Sequence, residues 1–150
     1  MNIAYHSRTR VTDAEQALGA TYQPSPAALA AVSDVLSLHI PGGAATHHLV
    51  NTELLMQLKP GAIVINTARG SIIDESALAS ALHNGTVAAA ALDVFEREPE
   101  VHADLLAAEN VVLLPHLGSA TIETRTGMGM QAAANLEAFF AGQELPNRVV

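Results

Sequence analysis

The chain has 150 residues, of which 49% are apolar, and its 15 acidic against 7 basic residues give a net charge of −8 at pH 7. This composition predicts one globular domain, and the acidic balance excludes the basic surface that nucleic acids or anionic membranes need. The absence of cysteine excludes disulfides and zinc–thiolate sites. With no apolar run of membrane-spanning length and no signal-like start, the sequence predicts a cytoplasmic domain.

Short apolar strands alternate along the chain with alanine-rich helical patterns. The first half predicts a strand at 2–6, a helix at 12–19 with Thr12 and Glu15 as a capping box and Gly19 as its stop, a helix at 26–32, a strand at 34–40 and a helix at 51–58 capped by Asn51. The second half predicts a strand at 62–66, a helix at 74–85 capped by Asp74, strands at 87–94 and 111–115 separated by one helical turn, and a long helix at 121–142.

The alternation predicts an α/β fold with a doubly wound parallel sheet. The strands are continuously apolar, as in parallel sheets that helices cover on both faces. Ligands of such sheets bind outside the carboxyl ends of the strands. Those ends read "YHSRTR", "HIPGG", "INTARG", "LDVFEREPE" and "LLPHLGSAT", and all carry polar or glycine-rich residues.

One apparent dinucleotide motif is not a binding site. The segment "GMGMQA" at 127–132 fits G-x-G-x-x-A, but a polar helical pattern precedes it, and the motif requires a strand. We predict instead that Gly127 and Gly129 are close-packing points within the last helix. No other glycine-rich fingerprint is present in the sequence.

Arg69, Glu98 and His116 each follow a different predicted strand at its carboxyl end. A guanidinium binds a carboxylate with a planar fork, and an imidazole moves a proton near neutral pH. A carboxylate bonded to the other ring nitrogen fixes the imidazole tautomer. Each residue alone has a structural explanation: Arg69 as part of a surface ion pair, Glu98 as part of a solvated charge run, and His116 as a packed histidine. Their shared position favours function.

Four segments together resemble the NAD(P)-binding domain of the D-isomer-specific 2-hydroxyacid dehydrogenases, and the glyoxylate/hydroxypyruvate reductase branch most. They are "LSLHIPGGAATHHLVN", "LKPGAIVINTARGSIIDESALASAL", "AALDVFEREP" and "NVVLLPHLGSATIETR". The resemblance implies a Rossmann-like fold and reduction of a small 2-oxo acid to the D-2-hydroxy acid. Arg69 would bind the substrate carboxylate, His116 would protonate the carbonyl oxygen, and Glu98 would orient His116. The spacing from Arg69 to Glu98 matches that of the family, so the resemblance implies Glu98 rather than Glu96 or Glu100.

The same resemblance implies cofactor contacts and an assembly. Asp93 would hydrogen-bond near the nicotinamide, the backbone of Thr67 and Ala68 would line the ring, and Gly118 would let the backbone approach it. The family resemblance also implies a homodimer for the full-length enzyme.

The turn after the first predicted strand indicates whether the chain prefers NAD(H) or NADP(H). Enzymes selective for NAD(H) place a carboxylate there to bind the ribose 2′-hydroxyl, but this turn reads His6-Ser7-Arg8-Thr9-Arg10. Ser7, Arg8 and Thr9 would hold a 2′-phosphate, with Arg10 adding charge. We therefore predict NADP(H) as the preferred cofactor and NAD(H) as the alternative. The arginines could instead only decorate an exposed turn.

The chain departs from the family at its beginning. The substrate lobe and the first strand-turn-helix with its glycine fingerprint are absent from these 150 residues, so we expect an incomplete doubly wound sheet and little activity of the chain alone. Two alternatives stay open: a non-catalytic nucleotide-binding module, or one half of a split enzyme.

We predict no metal site and no hydrolase. His47 and His48 are adjacent in a loop, and adjacent residues do not share a helix face. His39 ends a strand near the predicted crevice, where a packed structural role is favoured. The sequence contains no G-x-S-x-G elbow.

Overall fold

A computed structural model describes residues 1–149. The chain forms two compact units, of which the first is Met1–Pro115 and the second begins at His116. The strands are β1 Ala4–Tyr5, β2 Thr21–Tyr22, β3 Val35–Leu38, β4 Ile63–Asn66, β5 Ala89–Leu92 and β6 Val111–Leu113. The helices are α1 Thr12–Leu18, α2 Pro26–Val32, α3 Thr52–Leu55, α4 Glu75–His83, α5 Ala103–Leu106 and α6 Ile122–Phe140, with a 3₁₀ turn at Gly70–Ile72.

All observed strand pairs are parallel. The larger sheet has the order β3-β4-β5-β6, and a separate two-stranded sheet pairs β1 with β2. Helices connect successive strands, since each parallel pair needs a crossover. The predicted α/β, Rossmann-like class is therefore confirmed.

The core of the first unit lies between the sheet and its helices. Val64 at the centre of β4 is fully buried, and so are Leu78 on α4 and Leu105 on α5. Burial of each such side chain contributes about 1.5–3 kcal/mol. The sequence predicted a longer first strand, at 2–6, and did not predict β2. Both strands have only two residues, and a two-residue strand has no periodicity to detect.

Helix caps account for several of the observed boundaries. The side chains of Asn51 and Asp74 accept hydrogen bonds from Leu54 N and Ala77 N, as predicted, and Gly19 ends α1 in the left-handed conformation. The predicted capping box of Thr12 and Glu15 is wrong. Val11 is the N-cap of α1, and the Glu15 carboxylate binds Arg10 and Tyr5 instead. Arg10 binds both carboxylate oxygens of Glu15 at once, whereas a capping box offers the carboxylate one backbone N–H.

The second unit consists mainly of α6. Gly127 and Gly129 lie inside this helix, as predicted, but they are not close-packing points, since a Cβ at either glycine would meet no atom within 4 Å among the described residues. Asn135 on α6 exchanges hydrogen bonds of 3.0 and 3.2 Å with Asn147. Within residues 1–149, no helix has both the length and the apolarity to span a membrane.

Candidate active site

The carboxyl ends of β3 and β4 border a pocket of about 490 Å³. Its lining residues are His39, Ile40, Pro41, Gly42, Thr67, Ala68 and Arg69. The two strands are parallel neighbours, with Leu38 opposite Asn66, so the segments that follow them leave the same edge of the sheet. The structure thus brings three predicted site residues, Thr67, Ala68 and Arg69, to one pocket.

Buried Asn66 fixes the turn that carries Arg69. Its side-chain oxygen accepts from Ala68 N at 3.0 Å, and its amide nitrogen donates to Arg69 O at 2.9 Å. Asn66 is only 1% exposed, so both bonds lie in a region of low dielectric constant. Sequence reasoning missed this residue, although a polar side chain that ends a continuous apolar strand was a usable signal.

Two glycines shape the space around Arg69. A Cβ on Gly42 would lie 3.1 Å from Arg69 Cγ, so the absence of a side chain there admits the aliphatic part of the arginine. A Cβ on buried Gly70 would lie 1.9 Å from the carbonyl carbon of Phe95. Gly70 therefore permits the backbone after Arg69 to pack against the segment that leads to Glu98.

The segment from Phe95 to Glu98 is itself anchored. Glu98 Oε1 accepts from Phe95 N at 3.0 Å, and Glu96 N donates at 2.8 Å to the carboxylate of Glu75. Glu75 is 5% exposed, so this bond ties the turn to the buried start of α4. The peptide bond between Glu98 and Pro99 is cis. The turn holds Glu98 in the same unit as Arg69.

Asp93 follows β5 directly and is buried, at 6% exposed. Its backbone N–H donates to Asn66 O at 2.9 Å, which places Asp93 beside the start of the Arg69 turn. The predicted cofactor contact thus lies at the same sheet edge as Thr67 and Ala68.

His116 begins the second unit, whereas Arg69 and Glu98 belong to the first. Its backbone φ of 54° is in the left-handed region, which is uncommon for a residue other than glycine. Gly118 follows within a turn in which Ala120 N donates to Leu117 O at 3.0 Å. The meeting of His116 with Arg69 and Glu98 stays a prediction from the sequence.

The turn after β1 contains the predicted phosphate-binding residues. Ser7 Oγ donates to Thr9 O at 2.6 Å, and Arg8 is exposed. Arg10, however, makes two hydrogen bonds of 2.7 Å to the carboxylate of Glu15. Arg10 is also exposed but is committed to this ion pair, so Arg8 is the arginine of the turn that is in no ion pair with the described residues.

Glu15 is the centre of a polar network behind this turn. It also accepts from Tyr5 OH at 2.6 Å, and Arg10 stacks over the ring of Tyr22 at 5.6 Å. The hydrogen bonds from Arg10 and then from Tyr5 lower the pKa of the Glu15 carboxyl from 4.5 to about 2. Glu15 is therefore ionised at neutral pH and holds Arg10 in place.

Comparison with known proteins identifies the relatives of this chain. Residues 1–118 match the family model of the D-isomer specific 2-hydroxyacid dehydrogenase, NAD binding domain. The glyoxylate reductase of Thermococcus litoralis is 47% identical over 149 residues, which are 99% of this chain and 45% of that protein. The glyoxylate reductase of Aeropyrum pernix is 50% identical over 150 residues, 99% of this chain and 44% of that protein.

A solved structure shows the same fold. It is an NADPH-dependent glyoxylate/hydroxypyruvate reductase from Sinorhizobium meliloti in complex with NADP and malonate, 44% identical, with a TM-score of 0.90. The alignment covers 100% of this chain and 46% of the reductase. The chain thus spans less than half the length of each of these relatives.

Proposed function

The chain belongs to the D-isomer-specific 2-hydroxyacid dehydrogenase family, and we propose that it forms the cofactor domain of an enzyme that reduces a small 2-oxo acid to the D-2-hydroxy acid. The proposed substrates are glyoxylate and hydroxypyruvate, which are named in relatives that are 44–50% identical. The proposal extends to a cytoplasmic, homodimeric enzyme.

The proposal rests on one observation: Arg69 lines the pocket, and the chain is held in place at Arg69 itself and at the next residue. Asn66 holds the carbonyl oxygen of Arg69, and the following Gly70 packs against Phe95. The guanidinium has a single internal hydrogen bond, to Ala68 O at 2.6 Å, among the described residues. Its remaining N–H groups are available to a substrate carboxylate, which an arginine binds with two parallel hydrogen bonds.

The proton of the reaction comes from His116 in this proposal. Its imidazolium donates to the substrate carbonyl oxygen as negative charge develops there, and the carboxylate of Glu98 accepts from the other ring nitrogen. In this arrangement Glu98 fixes the tautomer and the orientation of the ring. When it is bound, the reduced nicotinamide supplies the hydride to carbon 2.

Two parts of the chain fit such a cofactor. Thr67 and Ala68 line a pocket of about 490 Å³, a size typical of small-ligand sites. Arg8 is exposed in a turn without a carboxylate of its own. We propose that Ser7, Arg8 and Thr9 bind a 2′-phosphate and that NADPH is preferred over NADH, with Asp93 and Gly118 near the nicotinamide.

The experiment that tests this function is a graft. This chain replaces the segment that it matches in the Sinorhizobium meliloti reductase, which a TM-score of 0.90 makes structurally feasible. We expect the graft to oxidise NADPH in the presence of glyoxylate or hydroxypyruvate. His116→Gln should lower kcat by at least about 100-fold, because proton donation contributes 10²–10⁴-fold.

The control is His83→Gln, which changes an exposed histidine at the end of α4 and should leave kcat unchanged. A folded graft that binds NADPH without turning over either substrate would contradict the proposed function, as would equal rates for the two histidine variants.

A further inference from the structure

Three side chains that line neither the pocket nor the Arg8 turn form a second polar cluster. They are His47 and His48, which lie between Gly42 and α3, and Glu96, which follows β5. One potential ligand atom from each lies within 4.8 Å of the other two. Among residues 1–149, this is the only group of three histidine or acidic side chains that meets this distance.

The backbone explains how two adjacent histidines come to share one side. His48 has a φ of 50° and lies in a turn, so the helical geometry that separates neighbouring side chains does not apply. The two rings stack with centroids 3.9 Å apart and planes inclined by 28°. His48 Nε2 is hydrogen-bonded to Glu96 Oε1. The reason for predicting no metal here from the sequence therefore fails.

We propose that His47, His48 and Glu96 bind one divalent transition-metal ion, of which Zn²⁺ is the best match. Imidazole nitrogen and carboxylate oxygen are ordinary zinc ligands at about 2.0–2.2 Å, and three protein ligands leave a fourth position for water. In a tetrahedral site the ligand atoms stand about 3.4 Å apart. Completing the site therefore separates His48 and Glu96, which are hydrogen-bonded to each other, and brings His47 nearer to both by no more than about 1.4 Å. His47 is exposed and free to make that movement.

The contacts behind the ligands support this assignment. His48 N donates to Ser71 O at 2.9 Å, and Glu96 N donates to the buried carboxylate of Glu75 at 2.8 Å. The backbones that present two of the three ligands are thus held in place before an ion arrives. The carboxylate and the net charge of −8 also favour a cation.

The bound ion joins two segments of the first unit. One contains His47 and His48 and is hydrogen-bonded to Ser71; the other is the turn from Phe95 to Glu98. An ion that binds only the folded chain stabilises it by an amount that rises with the logarithm of the ion concentration above Kd. The site is independent of the proposed reduction, because none of its ligands takes part in that chemistry.

The test is a calorimetric titration of the chain, without a histidine tag, with ZnCl₂ and separately with MgCl₂. We expect one Zn²⁺ per chain, a rise in Tm with ZnCl₂ and no heat with MgCl₂, since Mg²⁺ prefers oxygen ligands. His47→Gln should weaken Zn²⁺ binding at least about tenfold, because even the outer-shell partners of ligands contribute 10–100-fold.

His83→Gln is the matched control, because it removes an exposed histidine outside the cluster. His47 is also exposed, so its variant should fold, and Glu96→Gln gives a second variant that keeps both imidazoles. The absence of saturable Zn²⁺ binding would overturn the proposal. Equal affinities of wild type, His47→Gln and Glu96→Gln would overturn it as well.

Discussion

At the scale of single residues, the chain uses groups with no reactivity of their own to hold Arg69 at the pocket. Asn66 binds the turn from inside, Gly42 leaves room for the arginine stem, and Gly70 allows the backbone to pass against Phe95. The sequence predicted Arg69 from its place after an apolar strand. It could not predict the role of Gly70, because the atom that excludes a Cβ belongs to Phe95, a residue remote in the chain.

Gly70→Ala tests this close approach. The added Cβ would lie 1.9 Å from the Phe95 carbonyl carbon, and backbone cannot move aside as a side chain can. We expect a loss of more than about 3 kcal/mol in the free energy of unfolding, at or beyond the upper end of overpacking effects. Urea unfolding followed by far-ultraviolet circular dichroism measures it.

Gly127→Ala is the matched control, because its Cβ would enter open space on α6. It should stabilise the helix by up to about 1 kcal/mol. The close approach would be disproved by a Gly70→Ala chain as stable as the Gly127→Ala chain.

The exposed Arg8 gives a prediction about the cofactor. In the graft, Arg8→Ala should lower the ratio of kcat/KM with NADPH to kcat/KM with NADH by about 10–100-fold, because it removes charged hydrogen bonds of about 1.5–3 kcal/mol to the 2′-phosphate. Arg97→Ala, which changes an exposed arginine after β5, should leave the ratio unchanged. An unaltered ratio in Arg8→Ala would assign the arginine to the exposed surface only.

The lowered pKa of Glu15 predicts that the free energy of unfolding depends on pH. Its pKa in the folded chain is lowered to about 2 from 4.5, so its stabilising contribution is complete above about pH 5 and is lost as the pH falls towards 2. The difference in unfolding free energy between wild type and Glu15→Gln should therefore shrink across that window. A pH-independent Glu15→Gln difference would refute the network.

At the scale of elements, the strongly patterned segments were predictable and the weakly patterned ones were not. β4 and α4 follow from a continuous apolar run and from the Asp74 cap, which are local signals. β2 exists only through its pairing with β1, since Tyr22 lies opposite Tyr5 in a sheet of two short strands. The capping box failed because the Glu15 carboxylate binds the side chains of Arg10 and Tyr5 instead of the helix backbone.

The edges of the two sheets indicate a position for one further strand. In the part of the chain that the structure describes, β1 pairs only with β2, and β3 pairs only with β4. Val35 on β3 is 51% exposed, which is unusual for a parallel sheet. We propose that a parallel strand, equivalent to the first strand of the family's cofactor domain, lies between β1 and β3.

Fusing the corresponding strand-turn-helix of the Sinorhizobium meliloti reductase before Met1 tests this. We expect the free energy of unfolding to rise by at least about 3 kcal/mol, the contribution of two buried aliphatic side chains, and hydrogen exchange of the β3 amides to slow. A fusion with prolines in the added strand is the control. Unchanged β3 exchange would rule out this placement.

At the scale of the whole molecule, the three residues of the proposed chemistry follow three different strands: Arg69 follows β4, Glu98 follows β5 and His116 follows β6. The sequence predicted Arg69, Glu98 and His116 because parallel strands deliver their following residues to one sheet edge. The structure places Arg69 at a pocket and anchors the Glu98 turn in the same unit.

The most direct test of the central claim compares two aldehydes in the graft. Glyoxylate carries the carboxylate that Arg69 is proposed to bind, whereas glycolaldehyde has a hydroxymethyl group in its place. Arg69→Gln should reduce kcat/KM for glyoxylate by about 10–100-fold, the value of a lost charged hydrogen-bonded pair, and change that for glycolaldehyde little. Arg97→Gln should alter neither. An equal fall of kcat/KM for both aldehydes in Arg69→Gln would contradict the account.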